Sequence, residues 1–258
     1  MIIDSHSHIN HEFFIKDSKR YIEEAANSGV DAFICVGWDI TSSINAIKLS
    51  KNYSNVFAAI GIHPSDVKDI NEKTIEELEN LIKCNKIIAI GEIGLDFYYE
   101  KDKKEQDKQL EYFIKQINLA NKYNLPIIVH SRDAINLTYE TLKKYKSIKG
   151  GVMHCYAAGK DYVKRYIDLG FYFGIGGVVT FKNATSVKEA VKIIPLERLL
   201  LESDAPYLTP VPYRGQSNHS KFITYTIKQI AAIKQIDEQT IASITSQNCE
   251  KLFSVKHK

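Results

Sequence analysis

The sequence lacks the features that would assign it to several common protein classes. Its four cysteines, Cys35, Cys84, Cys155 and Cys249, are widely spaced and form no C-x-x-C pair, so a disulfide framework is not expected. No run of about 18 apolar residues is present to cross a membrane. The first residues show neither the basic segment nor the apolar stretch of a signal peptide. We therefore expect a cytoplasmic protein.

An excess of charge of one sign is also lacking. The chain of 258 residues has 34 basic and 31 acidic residues and a formal net charge of +3, which by itself gives no argument for nucleic-acid binding. Arginine is scarce, and its planar fork suits phosphate and carboxylate groups. A surface or structural role is the simpler interpretation for three of the arginines, Arg20, Arg165 and Arg198.

Short apolar runs alternate with amphipathic stretches along the chain. The runs contain few polar residues, which is typical of strands buried on both faces of a parallel sheet. They cover residues 1–4, 32–36, 56–61, 87–91, 126–129, 151–153, 171–175 and 199–201. Stretches with helical spacing cover residues 18–26, 41–49, 71–82, 103–123, 134–145, 161–169 and 187–194, and further helices are expected from about residue 219 to the end.

Eight strands that alternate with helices predict an α/β fold. At about 30 residues per β-α unit, the pattern favours a (β/α)8 TIM barrel, formed by a single domain over residues 1–258. A doubly wound open sheet is the competing architecture. Neither G-x-G-x-x-G nor G-x-x-x-x-G-K-[ST] follows a strand, which removes the usual nucleotide-binding support for that alternative.

Six residues of metal-ligating type fall at the ends of five predicted strands. They are His6, His8, Glu92, His130, His154 and Asp204. In a barrel these strand ends converge on the face where active sites lie. Taken singly, each has a structural explanation, such as a core histidine or a helix cap, but the joint pattern favours a metal centre. Four imidazoles and two carboxylates suit Zn, Mn or Mg. Six ligands exceed one tetrahedral site, so we expect two divalent metal ions that share a bridging carboxylate.

Motifs along nearly the whole chain carry a family resemblance. They are IDSHSH at residues 3–8, GIHP at 61–64, IGEIGLD at 90–96, PIIVHSRDA at 126–134, HC at 154–155, VTFKNA at 179–184 and LESDAPYL at 201–208. D-x-H-x-H is shared by many amidohydrolase-like enzymes, whereas G-E-x-G-L-D followed by H-S-R-D-A is far more specific. With this ordered set, the chain closely resembles the TatD family of metal-dependent DNases within the amidohydrolase-like barrels.

The resemblance implies a (β/α)8 barrel, a divalent metal centre and hydrolysis of phosphodiester bonds in DNA. We expect a 3′–5′ exonuclease that acts on single-stranded DNA. At the matching positions the resemblance implies the same six ligands, with Glu92 and Asp204 as the catalytic residues. Glu92 would bridge the ions, and Asp204 would bind metal and orient or deprotonate the attacking water. Divalent ions lower the pKa of a water towards about 7, which provides a nucleophile without a protein thiol or hydroxyl.

Substrate contacts are expected from three further residues in the matching motifs. His63 and Arg132 are predicted to contact phosphate, since arginine can hold two phosphate oxygens. The alternative for Arg132 is an ion pair with Asp96 or Asp133. Lys182 is a further candidate, although exposed loop lysines are commonly only solvated. Asp96 is predicted to support a metal ligand rather than to react.

The chain departs from the family pattern in two loops. HCYAAG at residues 154–159 stands where H-C-F-S-G is common, and Tyr156 is left to stack on a base or sugar. RGQSNHS at residues 214–220 stands where R-G-K-x-N-x-P is usual. Arg214 and Asn218 remain, but the loop lysine and proline are absent. The missing cation weakens the expected grip on DNA.

Three functions are compatible with the sequence. The first is a DNA exonuclease or endonuclease with two metal ions, and the second is a hydrolase of a small amide, lactone or phosphoester on the same barrel. Amidohydrolase relatives often carry a carboxylated lysine where this chain has Glu92, which favours the nuclease. The third is a non-catalytic nucleic-acid-binding protein. The intact ligand set argues against it, because buried charged groups are costly without an ion. A monomer is expected.

Overall fold

Eight parallel strands form one sheet in the computed structural model, which describes residues 1–68 and 70–256. They are β1 (Ile2–Ser7), β2 (Val30–Val36), β3 (Val56–Ile60), β4 (Ile87–Asp96), β5 (Ile127–Arg132), β6 (Gly151–Met153), β7 (Phe171–Ile175) and β8 (Leu199–Leu201). Each strand pairs in parallel with the next strand of the chain. This sequential order confirms the predicted TIM barrel and excludes a doubly wound sheet, in which the strand order reverses.

Ten α-helices occur in the described residues, and most follow a strand. They are α1 (Glu12–Ile15), α2 (Ser18–Ala26), α3 (Ile40–Asn52), α4 (Glu72–Cys84), α5 (Lys103–Lys122), α6 (Ile135–Tyr145), α7 (Val163–Asp168), α8 (Thr185–Ile193), α9 (Ile223–Lys234) and α10 (Glu238–Phe253). α3 begins earlier than predicted, because Asp39 and Ser42 form a reciprocal capping box at its start. Only α1, a single turn, is absent from the prediction.

The strands bury side chains on both faces. Ile34 and Leu200 point into the barrel, whereas their neighbours Phe33 and Leu201 pack against the surrounding helices. All four are fully or almost fully buried. Successive strand residues face opposite sides of a sheet, so two apolar layers explain why the strands read as continuous hydrophobic runs.

α10 covers the end of the barrel at which the strands begin. The Asn248 side chain donates to the Leu199 carbonyl over 2.9 Å, and the Ser246 hydroxyl donates to the Met1 carbonyl over 3.2 Å. Phe253 packs with the side chains of the barrel interior. Since this end is covered, the opposite end, where the strands finish, is the one that can accept a substrate.

Main-chain hydrogen bonds join the ends of the first and last strands. The Asp204 N–H donates to the His6 carbonyl over 3.0 Å, and the His8 N–H donates to the Ala205 carbonyl over 3.0 Å. We call this junction the β1–β8 seam. It lies at the residues predicted to bind metal, so closure of the barrel and assembly of the candidate site coincide.

The buried carboxylate of Asp4 reinforces the seam. It accepts hydrogen bonds from the Ser203 N–H at 2.9 Å and the Ser203 hydroxyl at 2.6 Å. The Ser220 hydroxyl donates to it over 2.5 Å, and Ser220 is 2.7 Å from the Tyr21 hydroxyl. A charged group that is 0% exposed needs such donors to offset its lost hydration.

Three strands continue past the ends predicted at residues 4, 91 and 129. His6, Glu92 and His130 therefore lie within β1, β4 and β5 rather than after them. The prediction ended each strand where polar residues begin, but these polar residues are themselves enclosed by the barrel mouth.

All four cysteines are free thiols, and Cys35 is fully buried as a small hydrophobic residue. Across residues 1–68 and 70–256, no helix is both long and apolar enough to span a membrane.

Candidate metal centre

Four of the six predicted ligands meet beside the β1–β8 seam. The Nε2 atoms of His6 and His8 are 3.3 Å apart. One oxygen of Glu92, Oε2, lies 3.4 Å from His6 Nε2 and 3.9 Å from His8 Nε2. Asp204 Oδ1 lies 3.5 Å from His8 Nε2 and 3.9 Å from His6 Nε2. Atoms that bind one ion tetrahedrally at about 2.1 Å are about 3.4 Å apart, so this spacing suits a shared cation.

The other two predicted ligands meet the second oxygen of Glu92. Oε1 of Glu92 lies 2.9 Å from His130 Nδ1 and 3.8 Å from His154 Nε2. His154 Nε2 is also 3.6 Å from Asp204 Oδ1. The two carboxylate oxygens of Glu92 thus face different histidines, Oε2 towards β1 and Oε1 towards β5 and β6.

Hydrogen bonds fix the tautomers of two histidines. His8 Nδ1 is 3.0 Å from the Val36 carbonyl, and His154 Nδ1 is 3.1 Å from Glu202 Oε2. Both partners can only accept, so each Nδ1 carries the proton and donates. The neutral ring then presents its Nε2 lone pair to the centre, which is the form that binds metal.

His130 lies between two carboxylates. Its Nδ1 faces Glu92, and its Nε2 is 3.0 Å from Asp96 Oδ2. Burial would lower the pKa of His130, but the hydrogen bonds to Asp96 and Glu92 outweigh it and raise the pKa to about 9. Asp96 therefore contacts the ring from outside the cluster, in the position expected of a residue that orients a ligand.

The carboxylates and imidazoles perturb one another strongly. Burial alone would lower the pKa of His154, yet the charges of Glu202, Glu92 and Asp204 raise it to about 10. Burial would raise the pKa of Glu92, but the facing imidazoles, His154 foremost, hold it well below its usual range. A cation held by these residues would replace the histidine protons as the counter-charge of the carboxylates.

The chemistry of the donor set fits a divalent cation. The cluster offers imidazole nitrogens and carboxylate oxygens, which suit Zn, Mn and Mg. His6, His8 and Glu92 place one donor atom each within 4.8 Å of one another. Across residues 1–68 and 70–256, His6 Nδ1 is one of few buried side-chain atoms without a hydrogen-bond partner.

Glu202 was missed by the sequence analysis. It is 1% exposed, and its two oxygens accept from His154 Nδ1 and, over 2.6 Å, from the Cys155 N–H. The available signal was its position, because a carboxylate directly after the apolar β8 needs buried partners, as Glu92 does.

His63 reaches the cluster with the opposite tautomer. The Ser65 N–H donates to His63 Nδ1 over 3.1 Å, so the proton of the neutral ring sits on Nε2, which is 3.7 Å from Glu92 Oε1. Burial and the neighbouring His130 lower the pKa of His63 to about 3, which keeps the ring neutral. It therefore offers an N–H donor, as a contact to substrate oxygen requires, rather than a lone pair for metal.

The two cationic candidates behave differently. The Arg132 guanidinium lies 3.9 Å from the centre of the Tyr98 ring and 4.9 Å from that of Tyr99. Asp96 pairs with His130, and within the described ranges Arg132 forms no ion pair with an acid. Stacking on the tyrosines therefore replaces the ion pair with Asp96 or Asp133 that the sequence left open. Lys182 is exposed, and the structure does not bring its side chain into contact with the six predicted ligands.

Tyr156 cannot stack on a base or sugar, so that interpretation is wrong. Its side chain is only 3% exposed, and its ring packs against Phe173 at a centroid distance of 4.8 Å. Its hydroxyl donates to the Gly159 carbonyl over 2.7 Å. The ring belongs to the apolar layer outside the barrel.

The late loop is organised by the two residues that it retains. Asn218 donates to the carbonyls of Ser203 and Tyr207 over 2.7 Å and 2.6 Å, which fixes the segment after β8. The Arg214 guanidinium stacks 3.8 Å from the centre of the Phe181 ring. Asn218 thus has a structural role, while Arg214 remains an exposed cation at the mouth of the barrel.

Comparison with known proteins identifies the family that the sequence motifs resemble, over nearly the whole chain. A family model described as TatD related DNase matches residues 3–254. The uncharacterized metal-dependent hydrolase YabD of Bacillus subtilis is 40% identical over 256 residues, which cover 99% of this chain and 100% of that protein. The uncharacterized metal-dependent hydrolase YcfH of Escherichia coli K12 is 33% identical over 258 residues, which cover 98% of this chain and 96% of that protein. The crystal structure of YJJV, a TatD homolog from Escherichia coli K12, superposes with a TM-score of 0.94 at 28% identity, covering 99% of this chain and 98% of that one.

Proposed function

The chain belongs to the TatD-related DNase family, and from that membership we propose that this metal-dependent hydrolase cleaves the phosphodiester bonds of DNA. The preferred substrate is single-stranded DNA, attacked from its 3′ end. The observation that carries the proposal is the divided carboxylate of Glu92, whose oxygens face separate sets of histidines. Such a carboxylate suits a pair of divalent ions, the arrangement used to clamp the attacking and leaving oxygens of a phosphoryl displacement.

Two divalent ions, Mg, Mn or Zn, are assigned to the six predicted ligands. His6 and His8 would hold one ion, His130 and His154 would hold the other, and Glu92 would serve both. Asp204 faces histidines of both sets. When bound, the ions activate a water for attack and neutralise charge on the phosphate.

The residues of the chain then have distinct tasks. Burial would raise the pKa of Asp204, but His154 and the hydrogen-bonded His8 outweigh it and lower the pKa, so Asp204 is an anion that can orient the attacking water and accept its proton. His63 would donate its Nε2–H to a phosphate oxygen. Arg132, held on the face of Tyr98, would bind the next phosphate through its planar fork.

The test is digestion of a single-stranded DNA oligonucleotide labelled at one end. Metal-loaded protein should shorten it from the 3′ end, and EDTA should stop the reaction. Asp204→Asn should be inactive, whereas Asp168→Asn, at an exposed acid of α7, should cleave normally. RNA and duplex DNA of the same sequence would define the preference.

The competing function is a small-molecule hydrolase on the same barrel. Its supporting observation is the modest net charge of +3, because a tight DNA-binding surface is usually more basic. If metal-loaded protein left every oligonucleotide intact but hydrolysed a small phosphoester, lactone or amide, this function would replace the nuclease.

A further inference from the structure

Exposed aromatic rings are concentrated at one end of the barrel. Among residues 1–68 and 70–256, four aromatic side chains are exposed: Phe13 at 67%, Tyr98 at 49%, Tyr99 at 72% and Tyr207 at 52%. Phe13 follows β1, Tyr98 and Tyr99 follow β4, and Tyr207 follows β8. All four therefore lie in segments that follow strands, at the end of the barrel that holds the candidate metal centre. Scattered exposed rings need no explanation, but their confinement to this face does.

Rings on the side of β1, β2 and β8 form a continuous surface that reaches the metal centre. The Trp38 ring lies 5.2 Å from that of His8, between centroids, and Tyr207 lies 6.2 Å from His8. His11 is 5.9 Å from Trp38 and 6.1 Å from Tyr207, and Phe13 is 4.7 Å from His11. We call His11, Phe13, Trp38 and Tyr207 the aromatic shelf.

Hydrogen bonds donated by main-chain N–H groups hold the shelf in place. The Trp38 N–H donates to the Ser42 hydroxyl over 2.8 Å, and the Tyr207 N–H donates to the Asp204 carbonyl over 2.8 Å. Phe13 lies on α1, a one-turn helix with no buried residue. A rigid inner edge at Trp38 and Tyr207 thus continues into an exposed outer edge at Phe13.

The charges around the shelf disfavour phosphate there. Glu12 and Asp39 adjoin its residues in the sequence. On the other side of the centre, the cation Arg132 already covers the face of Tyr98. The shelf therefore presents uncharged ring faces in acidic surroundings, which suit a base rather than a phosphate.

We propose that the aromatic shelf stacks the bases of single-stranded DNA beside the bond to be cleaved. The inference rests on the proposed function and deepens it, because it names what selects a single strand. Bases in a duplex are stacked and paired, whereas the bases of a single strand offer free faces to aromatic side chains. The backbone phosphates would then lie on the side of His63 and Arg132, and the bases on the side of Trp38.

Trp38 is the only tryptophan of the chain, so its fluorescence reports on the shelf alone. EDTA is added to prevent metal-dependent cleavage, and the protein is titrated with oligothymidylate and with an abasic oligonucleotide of equal length. The thymidylate should quench Trp38 and bind at least about 10-fold more tightly than the abasic strand, given the usual contribution of one stacked base. Equal affinities without any change in fluorescence would overturn the proposal.

Variants locate the effect on the shelf. Tyr207→Ala and Phe13→Ala should each weaken thymidylate binding about 10-fold, whereas Tyr207→Phe keeps a ring and should bind normally. Ile148→Ala removes a side chain that is 71% exposed in the turn before β6, at the opposite end of the barrel, and should have no effect. Shelf variants that bind like Ile148→Ala would contradict the assignment.

Cleavage and stacking can fail separately. Oligothymidylate could quench Trp38 although the protein cleaves no DNA with any metal. That result would support base stacking on the shelf and contradict the nuclease function. The protein could instead cleave DNA but bind thymidylate and the abasic strand equally, without a change in Trp38 fluorescence. That result would support the nuclease function and contradict base stacking on the shelf.

Discussion

The β1 side of the candidate centre supports its histidines with neutral groups. His8 donates its Nδ1–H to the Val36 carbonyl, which also accepts from the side chain of Asn10 over 3.0 Å. His6 Nδ1 has no hydrogen-bond partner within residues 1–68 and 70–256. Burial and the charge of His154 lower the pKa of His6.

The β5 and β6 side supports its histidines with carboxylates. Asp96 accepts from His130 and Glu202 faces His154, and the pKa values of the two imidazoles rise to about 9 and about 10 against the opposing effect of burial. A carboxylate behind an imidazole fixes the ring and makes it a stronger donor to metal.

From this difference we predict that the two sides would bind cations with unequal strength. Burial would lower the pKa of His8, but Asp204 and Glu92 raise it, so the contrast lies in the outer partners. These are carboxylates behind His130 and His154, and a main-chain carbonyl behind His8. The neutral side depends more on the backbone that positions it, including the β1–β8 seam. Glu92 belongs to both sides, so its replacement should disturb both.

Glu92→Gln should have the largest effect because it removes the carboxylate that both sides share. We expect loss of metal from both sides and a fall in activity of about 1000-fold, since metal ions contribute several kcal/mol to such reactions and 1.36 kcal/mol corresponds to tenfold. Metal analysis after gel filtration and the rate of oligonucleotide cleavage check this. Glu189→Gln, at an exposed acid of α8, is the matched control. Full metal content in Glu92→Gln would refute the shared role.

Glu202→Gln should weaken metal binding on the carboxylate-supported side alone. Loss of an outer partner of a ligand typically costs 10- to 100-fold in metal affinity, and Asp96→Asn should act similarly through His130. Competition titrations with a chromophoric chelator should show one weakened site and one unchanged site. Equal weakening of both would mean that the two sides do not act separately.

Asp4→Asn should destabilise the seam on which the neutral side depends. The variant loses the charge that accepts hydrogen bonds from Ser203 and Ser220 in a fully buried site, so the free energy of unfolding should fall by about 1–3 kcal/mol. Urea denaturation measures this. Asp31→Asn is the control at the start of β2, where the carboxylate is 39% exposed and accepts from the Ile2 N–H. A smaller loss is expected there, and equal losses would contradict the importance of the seam.

Asn10→Ala should have the smallest effect. It removes a neutral donor that shares the Val36 carbonyl with His8, and a single neutral hydrogen bond contributes about 1 kcal/mol. Metal affinity on the β1 side should therefore fall by no more than about fivefold. The same chelator competition measures it. A loss as large as that of Glu202→Gln would remove the contrast between the two sides.

The fold and the ligand cluster could be predicted because their signals are local. Runs of Ile and Val separated by amphipathic stretches predict a parallel barrel. A polar residue that directly follows such a run, as Glu92 does in the sequence, stands out because burial of a lone carboxylate is costly. The structure extends β1, β4 and β5 through these residues but keeps them at the same end of the barrel.

What could not be predicted depends on contacts between distant segments. In the sequence Glu202 is only a neighbour of Asp204, and the fold brings it to His154. Arg132 stacks on Tyr98 because the end of β5 lies beside the loop that follows β4. Tyr156 follows a predicted ligand closely, yet packing against Phe173 decides that it is buried. Propensity and spacing contain no information about such pairings.

The β1–β8 seam also bears on how the protein is made. The first predicted ligand is His6 and the last is Asp204, and the two are hydrogen-bonded neighbours. A chain emerging from the ribosome holds its earliest histidines exposed and without carboxylate partners from β8 until most of the polypeptide has been synthesised. Metal capture by the complete ligand set is therefore a late event in biogenesis, and a translation product that stops before residue 204 cannot assemble it.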